Sequence, residues 1–208
     1  ERLLQGRLAG PGQTAAEFRA RILGALPTTL WVGGLGLLLA MLVSFSVGPL
    51  LGLAVGRRWE RRVSTGLLTV DACPPIVSTT ALAIVFAGGG VLGGFPAGGL
   101  PEDAGLLSTL HHLALPVVSV AIAPAVFLTR LLRTGVAEAA ERPPGDALVG
   151  WGAEGPRYRR HLLRNGMGPC LTALGTILPM AVTGSLVVES VFGLHGVGKL
   201  ITDAVLRH

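Results

Sequence analysis

The residues from Gly193 to Lys199, Gly-Leu-His-Gly-Val-Gly-Lys, fit the first seven positions of the phosphate-binding pattern GxxxxGK[ST]. In that pattern loop amides cradle a nucleotide's phosphates. The eighth position here is Leu200, so the hydroxyl that holds Mg²⁺ is missing. The preceding Ser185 to Phe192 could pass for a strand, yet no soluble βαβ context surrounds it. Two acids, Asp71 and Glu189, lie in or beside long uncharged runs. An ionisable group at membrane depth usually faces a cavity, a partner or water, so both are candidates for a translocation path. Asp71 equally fits a plain position at the membrane interface. His111 and His112 are adjacent, point in different directions on a helix or strand, and have no third ligand in view. An interfacial pair suits them better than a metal site, and neither a metal nor another cofactor is expected. No GxSxG, HExxH or CxxC occurs, and Cys73 and Cys170 both fall in apolar runs, which argues against a disulfide framework. The residue types point away from an enzyme.

The elements that must position these residues are membrane spans. Half of the 208 residues are hydrophobic and 14% are charged, against roughly 25% charged in soluble domains; mean hydropathy is +0.62. No Asp, Glu, Lys or Arg occurs between Arg21 and Arg57, Asp71 and Glu102, Asp103 and Arg130, or Arg164 and Glu189. At about 20 apolar residues per crossing, the reading is an all-α polytopic bundle with spans near 27–55, 64–92, 113–132 and 169–189. Residues 1–25 are then a polar stretch and 26–208 the membrane domain. Within the first part, residues 14–25 suit either a short interfacial helix or an extension of the first span, ending in both cases at Pro27. Gly48, Gly52 and Gly56, at four-residue spacing, could let helices approach closely. Pro74-Pro75 should kink the second span, while Pro116, Pro124 and Pro179 are tolerated in lipid where neighbours satisfy the freed carbonyls. Residues 93–112, rich in Gly and Pro, read as a loop.

Charge orients the bundle. Arg57, Arg58, Arg61 and Arg62 fill one connection, and Arg130, Arg133, Arg142, Arg157, Arg159, Arg160 and Arg164 fill another, while residues 90–112 hold no Lys or Arg. This asymmetry puts the first and third connections in the cytoplasm. It also accounts for the net charge of +5 without nucleic acid. No cleavable signal peptide is read after Glu1-Arg2.

The third connection carries the most specific pattern. Asp146-Ala147-Leu148, three residues, then Gly152 resembles the EAA-x-x-x-G signature of ABC-transporter permeases, with Asp and Leu in place of Glu and Ala. Downstream, His161-Leu-Leu-Arg164-Asn165, Pro169, and Val187-Val188-Glu189-Ser190-Val191-Phe192-Gly193 with Gly196 and Gly198 follow in order. They resemble the HALRN…P…VVETVFG-x-x-G-x-G pattern of the dipeptide, oligopeptide and nickel permease branch. The interval from Gly152 to His161 is one residue shorter than the pattern. The same glycines that suggested a nucleotide loop belong to this pattern.

That resemblance implies a permease subunit of an ATP-driven importer in a bacterial or archaeal cytoplasmic membrane, forming half of the path for peptides or a related small solute. Its implied partners are a second homologous permease, two ATP-binding subunits that hydrolyse ATP, an extracytoplasmic solute-binding protein and the lipid bilayer. It also implies a coupling loop, 136–165, whose Asp146, Ala147, Leu148, Gly152, Arg157, Arg159 and Arg160 meet the ATPase. The arginines equally suit plain cytoplasmic anchoring. Members of the branch carry one helix before the matched region and one after it, and neither is read in this sequence. Two other readings remain: an ion- or proton-coupled carrier using Asp71 and Glu189, although no internal repeat is found, and a membrane subunit that transports nothing.

Overall fold

The computed structural model describes residues 15–88, 93–96, 98–99, 105–141 and 156–206. Among them the chain forms α1 (Ala15–Leu53), α2 (Arg58–Asp71), α3 (Pro75–Phe86), α4 (Leu106–Glu141), α5 (Pro156–Gly166), α6 (Gly168–Val191) and α7 (Val197–Leu206). Helices are what apolar runs must form where lipid offers the backbone no hydrogen-bond partners. Three are long and apolar enough to cross a membrane, and a fourth crossing exists if α2 and α3 count together. Large apolar side chains such as Leu30, Trp31, Leu42 and Ile84 lie exposed along them, as lipid permits.

The organising contact is α1 on α4. Gly36, Ala40, Ser44, Gly48 and Gly52 place a small residue at every fourth position of α1. A Cβ added at Gly36, Gly48 or Gly52 would come within 2.6 to 2.8 Å of Val120, Leu132 or Val136. The backbones approach this closely because side chains are absent. Each facing pair is offset by the same 84 residues, so the two helices run parallel and in register. At the centre of the seam the buried Ser44 hydroxyl shares its proton between the Ala40 and Ala125 carbonyls, at 2.7 and 2.9 Å, and accepts from Thr129 at 3.2 Å. Three core clusters follow the bundle axis. Val32, Leu113, Val120, Val188, Phe192 and Leu194 fill one end. Leu128, Leu132, Cys170 and Ile177 fill the middle, and Val136, Ala139 and Leu162 the opposite end.

Several boundaries differ from the sequence expectation. α1 does not stop at Pro27; it runs unbroken from Ala15, because the neighbouring helices hold the backbone that one missing N–H leaves free. The small-residue stripe exists but extends backwards to Gly36, and Gly56 is not part of it. Gly56 takes φ +89° in the turn after α1, with open space where a Cβ would stand. The double proline does more than kink: α2 and α3 meet at 101°, since Pro74 and Pro75 together remove two adjacent donors. The loop expected at 93–112 ends early, with α4 beginning at Leu106 and containing both histidines. His111 stacks on Phe95 at 5.1 Å, with its Nε2 3.1 Å from the Gly94 carbonyl, and His112 Nδ1 lies 2.8 Å from the Ser108 carbonyl.

Candidate functional site

The expected coupling residues Asp146, Ala147, Leu148 and Gly152 lie outside the described residues. What is described is the frame from which they hang, α4 leading to Glu141 and α5 leading away from Pro156. α5 is amphipathic by sequence. Tyr158, Leu162 and Leu163 pack on Val136, Ala139 and Ala140 of α4, while Arg160 and Arg164 remain exposed. Arg157 and Arg159 belong to the same helix. Arg164 lies in the last turn, where a cation meets the negative end of the helix dipole. Asn165 Nδ2 lies 2.8 Å from His161 Nε2 one turn back, which ties two motif residues together. α5 closes onto α4 through glycine: a Cβ at Gly135 would collide with the Gly166 carbonyl, and one at Gly166 would meet the Val136 amide nitrogen at 2.8 Å. Pro169 then opens α6, where a missing N–H costs nothing.

The same stretch of α4 holds two further helices. Gly52 of α1 abuts Val136, as described above, and Arg133 donates from Nε to Glu60 Oε1 of α2 at 2.6 Å. Glu60 is 3% exposed and takes a second hydrogen bond from Ser64 at 2.7 Å. One turn earlier, Arg130 pairs with Asp71 at the other end of α2, with both side chains partly exposed. Residues 130–139 of α4 are therefore a junction joining α1, α2 and α5 beside the coupling segment. Asp71, a candidate for the path, is charge-paired here. Sequence reading missed Glu60, Arg133, Gly135 and Gly166. The available signals were the single acid among the four arginines of residues 57–62 and the three-residue spacing of Arg130 and Arg133.

At the opposite end, the glycine motif folds around Glu189. α6 continues as a helix through Val191, so the stretch that could have passed for a strand is helical. The chain then turns at Gly193, φ +61°, and restarts as α7. The Glu189 carboxylate, fully buried, accepts the Gly198 N–H at 2.7 Å, and Thr29 of α1 accepts the Val197 N–H at 2.9 Å. A Cβ at Gly196 would overlap the carboxylate, and one at Gly198 would stand 2.9 Å from its Oε2 and 2.5 Å from Leu186 Cα. Lys199 Nζ reaches the Gly193 carbonyl at 3.3 Å. The helix N-terminus that would receive a phosphate in a nucleotide loop is thus filled by the protein's own anion. Phe192 is buried in the core cluster, and its carbonyl takes the Gly99 N–H at 3.3 Å. Glu189 and Asp71 are not brought together.

Comparison with known proteins agrees with this architecture. Residues 35–208 match the family described as binding-protein-dependent transport system inner membrane component. The oligopeptide transport system permease protein OppB of Haemophilus influenzae is 30% identical over 187 residues, covering 89% of this chain and 59% of that protein. Permease protein AppB of Bacillus subtilis is 29% identical over 197 residues, covering 89% and 60%. A putative peptide permease of Brucella ovis is 28% identical over 213 residues, covering 97% and 64%. The chain spans about three fifths of the length of these relatives. Its helical bundle, its motifs and these matches lead to one conclusion: the chain belongs to the binding-protein-dependent inner membrane components, the permeases of ABC importers, alongside relatives named for oligopeptide transport.

Proposed function

We propose that this chain forms half of the membrane path of an ATP-driven importer for peptides or a related small solute. It pairs with a second homologous permease and is served by two ATP-binding subunits and an extracytoplasmic solute-binding protein. The membrane is the bacterial or archaeal cytoplasmic one. The connections at 56–62 and 136–165 face the cytoplasm, and 93–112 and the segment after Glu189 face outward.

The observation that carries this reading is the junction on α4. A push on Asp146 to Gly152 enters the chain between Glu141 and Pro156, and α4 delivers it at once to α1, α2 and α5. Packed interfaces of this kind move as rigid bodies. Closure of the ATPase dimer then tilts the bundle between inward-open and outward-open states, with Arg157, Arg159 and Arg160 beside the ATPase surface. An ion-coupled carrier would need Asp71 and Glu189 available to a travelling ion. Both are engaged, by Arg130 and by the start of α7.

The test compares Ala147→Arg and Gly152→Trp with Glu189→Ala. Both loop variants insert normally, yet they pull down less of the ATPase and uncouple hydrolysis from transport. Glu189→Ala keeps the ATPase. Full association and normal transport in both loop variants would remove the coupling assignment.

A further inference from the structure

The four arginines after α1 are not used by the junction. On α2, Arg58, Arg61, Arg62 and Thr65 fall at i, i+3, i+4 and i+7, which puts them on one stripe. With Gly56 they line an open groove of about 670 Å³. Glu60 and Ser64 face the other way and are spent on Arg133 and on each other. No acid lines the groove, and neither ion pair among the described residues involves these arginines. Their charge is left uncompensated inside one concave surface.

The depth and the neighbouring stripe identify the ligand. The membrane-length part of α1 ends at Leu53, and the groove begins three residues later, at the level where a span leaves the hydrocarbon. Beside the arginines, Trp59, Val63 and Val70 are exposed, at 45%, 40% and 42%. An indole and two β-branched residues next to a basic face describe a helix at the boundary between acyl chains and headgroups. A soluble acidic partner would account for the arginines but not for the apolar stripe at their side. Guanidinium forks bind phosphate oxygens in pairs, while the Thr65 hydroxyl is spent on the Arg61 carbonyl at 2.9 Å.

We propose that the groove at Gly56 to Thr65 is a binding site for the phosphate headgroup of an anionic phospholipid, held by Arg58, Arg61 and Arg62. The bound lipid anchors the start of α2 to the cytoplasmic leaflet. This site is independent of the coupling segment, and its test reads binding rather than transport.

Trp59 serves as the probe. With Trp31→Phe and Trp151→Phe it is the single indole, and the chain is reconstituted in phosphatidylcholine vesicles. These contain equal low fractions of spin-labelled phosphatidylglycerol or spin-labelled phosphatidylcholine. Phosphatidylglycerol quenches Trp59 at several-fold lower mole fraction than phosphatidylcholine does. Each of Arg58→Gln, Arg61→Gln and Arg62→Gln weakens this preference about fivefold, the effect expected for one basic residue at an anionic surface. Inorganic phosphate does not displace the lipid. Equal quenching by the two lipids overturns the proposal, and so does a preference unchanged by the substitutions. Displacement by inorganic phosphate alone reassigns the groove to a soluble anion. The single variants keep three of the four arginines, so correct insertion is retained.

Discussion

The two ends of the bundle are closed by different physics. At the arginine-rich end, helices are tied by side-chain ion pairs: Arg130 with Asp71, both partly exposed, and a partly exposed Arg133 with the buried Glu60. At the glycine-turn end, a fully buried carboxylate binds a backbone amide, and glycines leave room for nothing else. The first kind of joint, where both charges are partly exposed as in Arg130 with Asp71, can loosen and re-form at small cost, because exposed charges are nearly as well satisfied by water. The second cannot, because displacing a buried carboxylate leaves it without partners in a dry site. Under the proposed coupling, the yielding joint lies near the drive and the rigid one far from it.

The largest expected effect is at the rigid end. Gly196→Val puts atoms where the Glu189 carboxylate lies, combining overpacking of about 1–3 kcal/mol with loss of a buried hydrogen bond worth about 1–3 kcal/mol. Transport falls to background and the melting temperature drops, by about 2–4 °C per kcal/mol for a chain of this size. ATPase pull-down is unchanged. Loss of ATPase binding in this variant would break the distinction between the ends.

Legibility in the sequence followed the same division. The VVESVFG-x-x-G-x-G pattern is legible through its family resemblance, and its parts answer local demands: Gly196 and Gly198 make room for Glu189 a few residues away, and Gly193 supplies a positive φ. The double proline and the four apolar runs were legible for the same local reason. Glu60 with Arg133 and Gly135 against Gly166 were not. Their partners lie 73 and 31 residues apart in the chain, and a lone charge or glycine carries no mark of a distant mate. α1 running through Pro27 was missed because local propensity breaks helices at proline, whereas packing in lipid overrules it.

A middle-sized effect sharpens the account of the yielding end. Arg133→Ala leaves the buried Glu60 without its cationic partner, with the Ser64 hydroxyl and the Gly56 backbone remaining, which costs about 1–3 kcal/mol and lowers transport several-fold. Adding Glu60→Gln removes the stranded charge and restores much of the loss. A double-mutant cycle on thermal stability measures the coupling, and strict additivity would show that the pair does not act as a joint.

The smallest effect is expected one turn away. Arg130→Ala or Asp71→Asn changes stability by about 0.2–1 kcal/mol, as for other partly exposed pairs. The difference from the unaltered protein disappears in molar salt, where charges are screened within about 3 Å. A salt-independent loss larger than that of Arg133→Ala would reverse the ranking of the two pairs.

The constant 84-residue offset between α1 and α4 carries a consequence about the return of the chain. Two membrane-length helices that lie parallel enter from the same face, so the chain between them must return to its starting face. Only α2, α3 and the connection to Leu106 are available for the return. At about 1.5 Å per residue, the 14 residues of α2 give about 21 Å and the 12 of α3 about 18 Å. Neither alone spans a hydrocarbon layer of about 30 Å. Among the described residues, the return is therefore shared between the cornered pair, bent by 101°, and the connection that follows it. The chain beyond the far end of α6 comes back beside the first part of α1, where the hydrogen bond from Val197 to Thr29 joins them.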